Sequence, residues 1–252
     1  FLARPEIVAE LPLQLGFTFS FPVEQESLEH GRILAWSKEI VAKNVIGEDA
    51  VALLQEALHA RQLDIKVAAL INDTVGTLLA QIYRDQKSRM SVILGTGSNA
   101  AYVEKCSRIS KLKGRFPKNC TETIINTEWG SFGDSADGES SSILPCTRFD
   151  CNLDHESTNP GVHKFEKMIS GMYLGEIFRL ILCEAAQKGI VVFSENATKY
   201  SIKTKDMSIF HEAFLNEDWI LCDSVASTKF SLSFEANLSQ KMFKFLSSLC
   251  EL

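Results

Sequence analysis

The stretch that decides the fold is Lys66-Val67-Ala68-Ala69-Leu70-Ile71-Asn72-Asp73-Thr74-Val75-Gly76-Thr77. Its first half is an apolar run with the length and composition of a buried strand. Its second half sets an amide and a carboxylate where that strand ends. Burial raises a carboxylate's proton affinity, which suits a general base working near neutral pH. Asn-Asp after a strand has a second reading, a turn in which both side chains bond local backbone, so the surrounding residues must separate the two. Downstream, Gly95-Thr96-Gly97-Ser98-Asn99 follows another apolar run. It is rich in glycine and hydroxyls, and suited to approach phosphate or sugar oxygens.

Outward from this centre, Ile65 to Ile71 reads as a strand and Leu78 to Tyr83 as a helix continuing after Thr77. Met90 to Leu94 and Ala100 to Glu104 flank the Gly95–Asn99 turn as a hairpin, and Thr123 to Asn126 is a further short strand. Upstream, Phe17 to Val23 alternates aromatic and small residues as a half-buried strand does. Asp49 caps a helix whose Leu53, Leu54, Ala57 and Leu58 recur at helical spacing. Asn159-Pro160-Gly161 reads as the start of a long helix carrying Met168, Met172, Phe178, Ile181 and Leu182. That helix places Gly171 and Gly175 on one face and stops at Gly189. Basic Lys105 to Cys120 and acidic Asp134 to Ser142 read as solvated insertions, and Met242 to Leu249 as an amphipathic fragment. Strands alternating with helices make the fold class α/β.

The bulk properties narrow the function classes. With 252 residues the chain holds one large or two modest domains. A formal charge of −6 and a pI near 5.5 argue against nucleic acid or an anionic membrane as partner. An anionic nucleotide remains compatible, because backbone N–H groups and Mg²⁺ act locally. Seven cysteines without Cys-x-x-Cys spacing read as free thiols in a reducing, cytoplasmic compartment. No apolar run approaches the ~18 residues of a membrane span. The opening Phe1-Leu2-Ala3-Arg4-Pro5-Glu6 has neither initiator Met nor signal-peptide pattern.

Three further segments accompany Asn72-Asp73 in a fixed order: Leu15-Gly16-Phe17-Thr18-Phe19-Ser20-Phe21-Pro22, Asn126-Thr127-Glu128-Trp129-Gly130-Ser131-Phe132, and Phe165-Glu166-Lys167-Met168-Ile169-Ser170-Gly171-Met172-Tyr173-Leu174-Gly175-Glu176. In residues and order the chain resembles the eukaryotic hexokinase family from about Leu15 to about Gly189. The resemblance implies an actin-like, ribonuclease-H-like sugar kinase fold of two lobes with sugar bound between them. On that reading residues 1–71 belong to the small lobe and 72–252 to the large one.

What the resemblance implies about chemistry is specific. Sugar phosphorylation needs a base, partners for several hydroxyls, and positive charge near the migrating phosphoryl group. Asp73 matches the family's base for the 6-hydroxyl, and Asn72 a contact to a ring hydroxyl. Glu128 and Glu166 match the two glutamates that grip sugar hydroxyls. Ser20, Ser37, Lys38 and Asn99 match further sugar contacts, with Lys38 also placed to stabilise negative charge. Gly95 and Thr96 match a phosphate-contacting turn. The implied substrates are a hexose and ATP with Mg²⁺, no metal being held by the chain's own residues. Each residue keeps a plainer reading: Glu128 as a strand-end acid, Glu166 with Lys167 and Glu176 as a solvated helix stripe, Lys38 with Glu39 as an exposed pair.

Two departures bear on substrate range. Ser37-Lys38 stands where the family has Thr-Lys, and His163 where many members have Gln, a change that points toward a fungal glucokinase-like or hexosamine-tolerant branch. The family's Asp-Leu-Gly-Gly-Thr-Asn-type phosphate loop and its Gly-rich adenosine segment are not in this sequence. The chain therefore reads as the middle of a longer hexokinase, and the isolated segment is expected to bind hexose weakly and release no ADP. Three functions stay open: an ATP-dependent hexokinase acting on glucose or N-acetylglucosamine, a hexokinase-like sugar sensor without turnover, and a truncated copy without function.

Overall fold

The computed structural model describes residues 12–112, 116–134, 143–193, 197–233 and 239–250. Positions 113–115 of the basic insertion and 135–142 of the acidic one lie outside the described residues. The chain divides into two compact units, Phe1–Val92 with Asn99–Glu128, and Ile93–Ser98 with Trp129–Leu252.

In the first unit, Leu13, Leu15 and Phe17 alternate inward along β1 (Leu13–Thr18). The sequence pattern places this strand at Phe17 to Val23. It ends earlier: Phe19 N–H makes the last bond to β4, to Ile71 O at 2.9 Å, after which Phe19 and Phe21 pack edge-on against Trp36 and Pro22 has no N–H to donate. An antiparallel hairpin follows, β2 (Val23–Ser27) and β3 (His30–Ile33). Helix α1 (Ala50–Ala60) then crosses over to β4 (Ile65–Ile71), which pairs parallel with β1. Val51, Leu54 and Leu58 of α1 pack with Val67 and Leu70 of β4 in the core of this unit.

Asp49 starts α1 by accepting a hydrogen bond from Val51 N–H at 2.8 Å, and it also holds His30 Nδ1 at 2.7 Å. Burial pushes its carboxyl up, but the hydrogen bonds from His30 and the Val51, Gly31 and Ala52 N–H groups outweigh that and hold it below the usual carboxylate range. A depressed carboxyl contributes stability above its unfolded pKa, and that contribution is lost as pH falls through the folded value. Asp49→Ala is expected to cost about 1 kcal/mol at pH 7. The gap from wild type should narrow as pH falls from neutral to about 2, below the ordinary carboxylate range. Urea unfolding at the two pH values measures both.

Helix α2 (Asp73–Arg84) begins two positions after β4 ends, with Asn72 between them, and five residues earlier than the pattern suggests. Asn72 causes the early start, since its Oδ1 accepts from Thr74 N–H at 2.9 Å and from Val75 N–H at 3.4 Å, capping the helix. β5 (Met90–Leu94), β6 (Ser98–Lys105) and β7 (Glu122–Asn126) lie in that order in one sheet. β6 and β7 run antiparallel, with Ala101 opposite Asn126.

The second unit is mainly helical. Helix α3 (Arg148–Glu156) opens on a reciprocal Thr147–Asp150 capping box. The single long helix expected from Asn159 is instead two, α4 (Lys164–Ile169) and α5 (Leu174–Gln187). The start is delayed because Gly161 (φ +81°) and His163 (φ +57°) turn the chain, and the Asp134 carboxylate takes up the His163 and Lys164 N–H groups at 2.7 and 2.9 Å. The break falls where Gly171 and Met172 N–H donate to the Gly95 and Thr96 carbonyls. A Cβ on Gly171 would lie 2.8 Å from Gly95 O, so the approach excludes any side chain. Gly171 and Gly175 therefore do not share a helix face; Gly175 faces the Ile202 carbonyl. Gly189 ends α5 as expected, with Ile190 N–H on Ala185 O and Gly189 N–H on Ala186 O.

The remaining elements are β8 (Val192–Phe193), α6 (Thr204–Leu215), α7 (Trp219–Thr228), β9 (Leu232–Ser233), which pairs with β8, and α8 (Ser239–Cys250). Phe178, Phe210, Phe230 and Leu246, all fully buried, form the centre of this core.

Candidate active site

In the first unit, Asp73 occupies the first position of α2, where peptide dipoles favour a negative charge. Its Oδ2 accepts the Ser20 hydroxyl at 2.7 Å and its Oδ1 accepts Thr74 N–H at 2.8 Å. The carboxylate is thus aimed from two sides while remaining half-buried. Lys38 Nζ donates to Ser20 O at 2.8 Å and lies 5.1 Å from the centre of the Phe21 ring. Ser20 therefore ties the lysine and the aspartate to one peptide. Lys38 and Glu39 are half-buried rather than an exposed pair, and Ser37 beside them is buried.

Asn72 uses its Oδ1 for the helix cap, which leaves its Nδ2 group without a hydrogen-bond partner among the described residues. It lines a cavity of about 680 Å³ together with Asn126, Glu128, Leu34, Leu70 and Val75. Glu128 Oε1 accepts from Asn126 Nδ2 at 2.6 Å and from Asn99 Nδ2 at 3.3 Å. Asn99 Nδ2 also bonds Asn126 Oδ1 at 2.7 Å, and its Oδ1 accepts Ala100 N–H at 2.8 Å. The Asn99 amide is engaged within the protein, and its work here is to orient Glu128.

Asn126 is the residue that sequence reasoning missed. It stands inside a quoted motif, yet only the pairing of β6 with β7 sets it against Asn99. The available signal was its period-two relation to Glu128 at the end of a strand.

In the second unit, Glu166 sits in the first turn of α4 and is 5% exposed. Its Oε2 accepts Ser98 N–H at 2.9 Å, whereas its Oε1 is buried with no partner among the described residues. A buried carboxylate oxygen left unpaired is costly unless something else fills it. A Cβ at Gly130 would come within 3.1 Å of the Glu166 Cβ, so glycine there preserves the space beside this carboxylate. Ser98 also accepts Trp129 Nε1–H at 3.0 Å, and Trp129 meets Phe165 edge-on. His163 is buried, its Nδ1 3.5 Å from the Ser131 hydroxyl. Gly95 and Thr96 are exposed, their carbonyls holding the chain between α4 and α5.

The solvated-stripe reading of Glu166, Lys167 and Glu176 does not hold: they are 5%, 2% and 1% exposed. Lys167 pairs with Asp154 at 2.6 Å and Glu176 with Arg179 at 2.6 Å. Only Glu166 of the three lacks a charged partner among these pairs. Lys38, Glu128 and His163 all have positive φ (61°, 47° and 57°). Such backbone strain collects where a side chain must be aimed.

Within the first unit stand a carboxylate held by two amides and an aspartate at a helix N-terminus; within the second stands a buried acceptor-only carboxylate with one open oxygen. Residues 89–252 match one hexokinase family model and residues 3–83 another. The chain belongs to the hexokinase family, and its fold is the α/β fold of those actin-like sugar kinases. It is 48% identical over 202 residues to hexokinase-7 of Oryza sativa subsp. japonica, an alignment covering 79% of this chain and 42% of that protein. Hexokinase-1 of Spinacia oleracea is also 48% identical, with 79% and 39% covered. A hexokinase from Schistosoma mansoni, solved in complex with glucose, superposes with a TM-score of 0.79 at 32% identity. That superposition covers 94% of this chain and 52% of the other. The chain thus spans about 40 to 50% of the length of these relatives. Among the described residues no helix is long and apolar enough to cross a membrane.

Proposed function

We propose that this chain carries the sugar-binding and catalytic-base portion of a cytoplasmic hexokinase, which transfers the terminal phosphoryl group of ATP to the 6-hydroxyl of a hexose. The observation that carries this reading is Asp73, a half-buried carboxylate aimed by Ser20 and by the first turn of α2. Asp73 takes the hydroxyl proton as the oxygen attacks. Lys38, fixed on the Ser20 carbonyl, supplies positive charge during transfer. Glu128 and the open Oε1 of Glu166 accept sugar hydroxyls, and Asn72 donates through its uncommitted Nδ2. Ser37, Asn99 and His163 complete the sugar contacts, Asn99 chiefly through Glu128. The Gly95–Thr96 turn presents a hydroxyl to phosphate.

Mg²⁺ enters this reading as part of the substrate MgATP, where it neutralises phosphate charge. Among the described residues no three His, Cys, Asp or Glu side chains gather to hold a metal. The lobe division at residues 71 and 72 belongs to the same reading. Glucose is the preferred hexose here, supported by the S. mansoni relative solved with glucose. N-acetylglucosamine is the competitor that His163 brings into question.

The test is hexose-dependent ADP release by the protein that carries this chain, with MgATP and either sugar. Turnover with glucose is expected. Hexose binding without ADP release would replace the enzyme by a sugar-binding protein, and neither would overturn the reading altogether.

Glu166→Gln separates recognition from chemistry. The amide retains the volume and an acceptor for Ser98 N–H, but puts a donor where Oε1 stood. Losing a charged hydrogen bond to a hydroxyl is expected to raise the hexose KM about 10- to 100-fold, with kcat less affected. Steady-state kinetics on folded variant decides it, and an unchanged KM would remove Glu166 from the sugar contacts.

A further inference from the structure

The proposed chemistry uses none of the seven cysteines, yet two of them are not independent of each other. Cys106 directly follows β6 and Cys120 stands two residues before β7. They are 14 positions apart in sequence, with their sulfurs 2.9 Å apart. Backbone fixes the juxtaposition: Cys106 N–H donates to Thr121 O at 3.0 Å, one step past the Lys105–Glu122 pair that ends the β6–β7 ladder. Both residues are half-buried, so the sulfurs are held in place without being sealed from small solutes. Desolvation and the hydrogen bond with Cys120 push the Cys106 thiol up to about 11, which keeps it in the thiol form at neutral pH.

We propose that Cys106 and Cys120 form a reversible dithiol–disulfide site whose oxidant is a peroxide. Cys120 is the attacking sulfur, losing its proton as it attacks a peroxide oxygen while Cys106 stays a thiol, and the O–O bond breaks. With hydrogen peroxide this leaves a sulfenic acid and, after protonation, one water. The second sulfur then attacks the sulfenic sulfur, forming the S–S bond and releasing a second water. In sum the two thiols lose two electrons and two protons, and the peroxide is reduced to two waters. A dithiol reductant returns the pair to thiols. The bridge closes a loop at one end of the β6–β7 hairpin, whose opposite end carries Asn99 and Asn126. It thereby restricts the unfolded chain without altering the residues of the proposed site.

Titrating the purified protein with hydrogen peroxide, blocking the remaining thiols by alkylation and mapping the peptides tests this. A peptide pair joined through Cys106 and Cys120, two hydrogens lighter than its reduced parts and released by dithiothreitol, is expected. Cys106→Ser and Cys120→Ser are each expected to abolish it, with urea unfolding of both variants reading whether the fold is kept. Recovery of both residues as alkylated thiols, while exposed Cys151 is oxidised, would overturn the proposal. Formation of sulfinic acids at Cys106 or Cys120 in place of the bridge would overturn it equally.

Discussion

Asp73→Asn, made in the protein that carries this chain, is expected to lower kcat for hexose phosphorylation by about 10²–10⁴ while moving the hexose KM only a few-fold. Asparagine keeps the shape and an oxygen for Thr74 N–H. The Ser20 hydroxyl, which donates to Asp73 Oδ2, can rotate and accept from the new amide instead. What disappears is the group able to receive the hydroxyl proton. The rate loss corresponds to about 3–5 kcal/mol of transition-state stabilisation. Removing a negative charge from the first turn of α2 costs only about 0.3–1 kcal/mol of stability. A variant that unfolds near the wild-type midpoint and turns over slowly is therefore the expected result. Turnover within threefold of wild type would take the base role from Asp73.

Phe178→Ala should have the largest effect on stability. Phe178 is fully buried, its ring centre 4.8 Å from that of Phe230, which in turn meets Phe210 at 5.3 Å. Removing it discards the burial of an aromatic side chain and leaves a cavity lined by rings that cannot collapse inward. Such truncations cost about 3–5 kcal/mol, against a total stability of roughly 5–15 kcal/mol for a natural domain. The second unit, which holds Glu166, would lose a large share of its margin. Tyr83→Ala is the control, since Tyr83 is 92% exposed and such changes usually stay within about 0.5 kcal/mol. Urea unfolding of both variants is the measurement. A Phe178→Ala cost below about 1 kcal/mol would show that this ring cluster does not hold the unit together.

Local pattern alone carried β4, β5, the Asp49-capped α1 and the end of α5 at Gly189, because a strand's apolar run, a cap and a left-handed stop are written in neighbouring residues. The candidate residues were legible only through their resemblance to a family, since a lone Asn-Asp or Glu-Trp has equally good structural readings. Asn126 escaped because its partner Asn99 is 27 positions away. The break between α4 and α5 escaped too, because the residues there permit a helix and it is the Gly95 and Thr96 carbonyls that interrupt it. The open oxygen of Glu166 depends in the same way on Ser98, 68 positions distant. By itself, then, the sequence determined the α/β class and the elements around Asn72-Asp73, and its resemblance to a family named the candidate residues. The β2–β3 hairpin, α3, α6 and α7 were not read from it. The tertiary structure decided which of those side chains are satisfied internally and which keep a free atom for a ligand. A side chain's hydrogen-bond balance is set by groups brought beside it from elsewhere in the chain, and no short-range pattern records that.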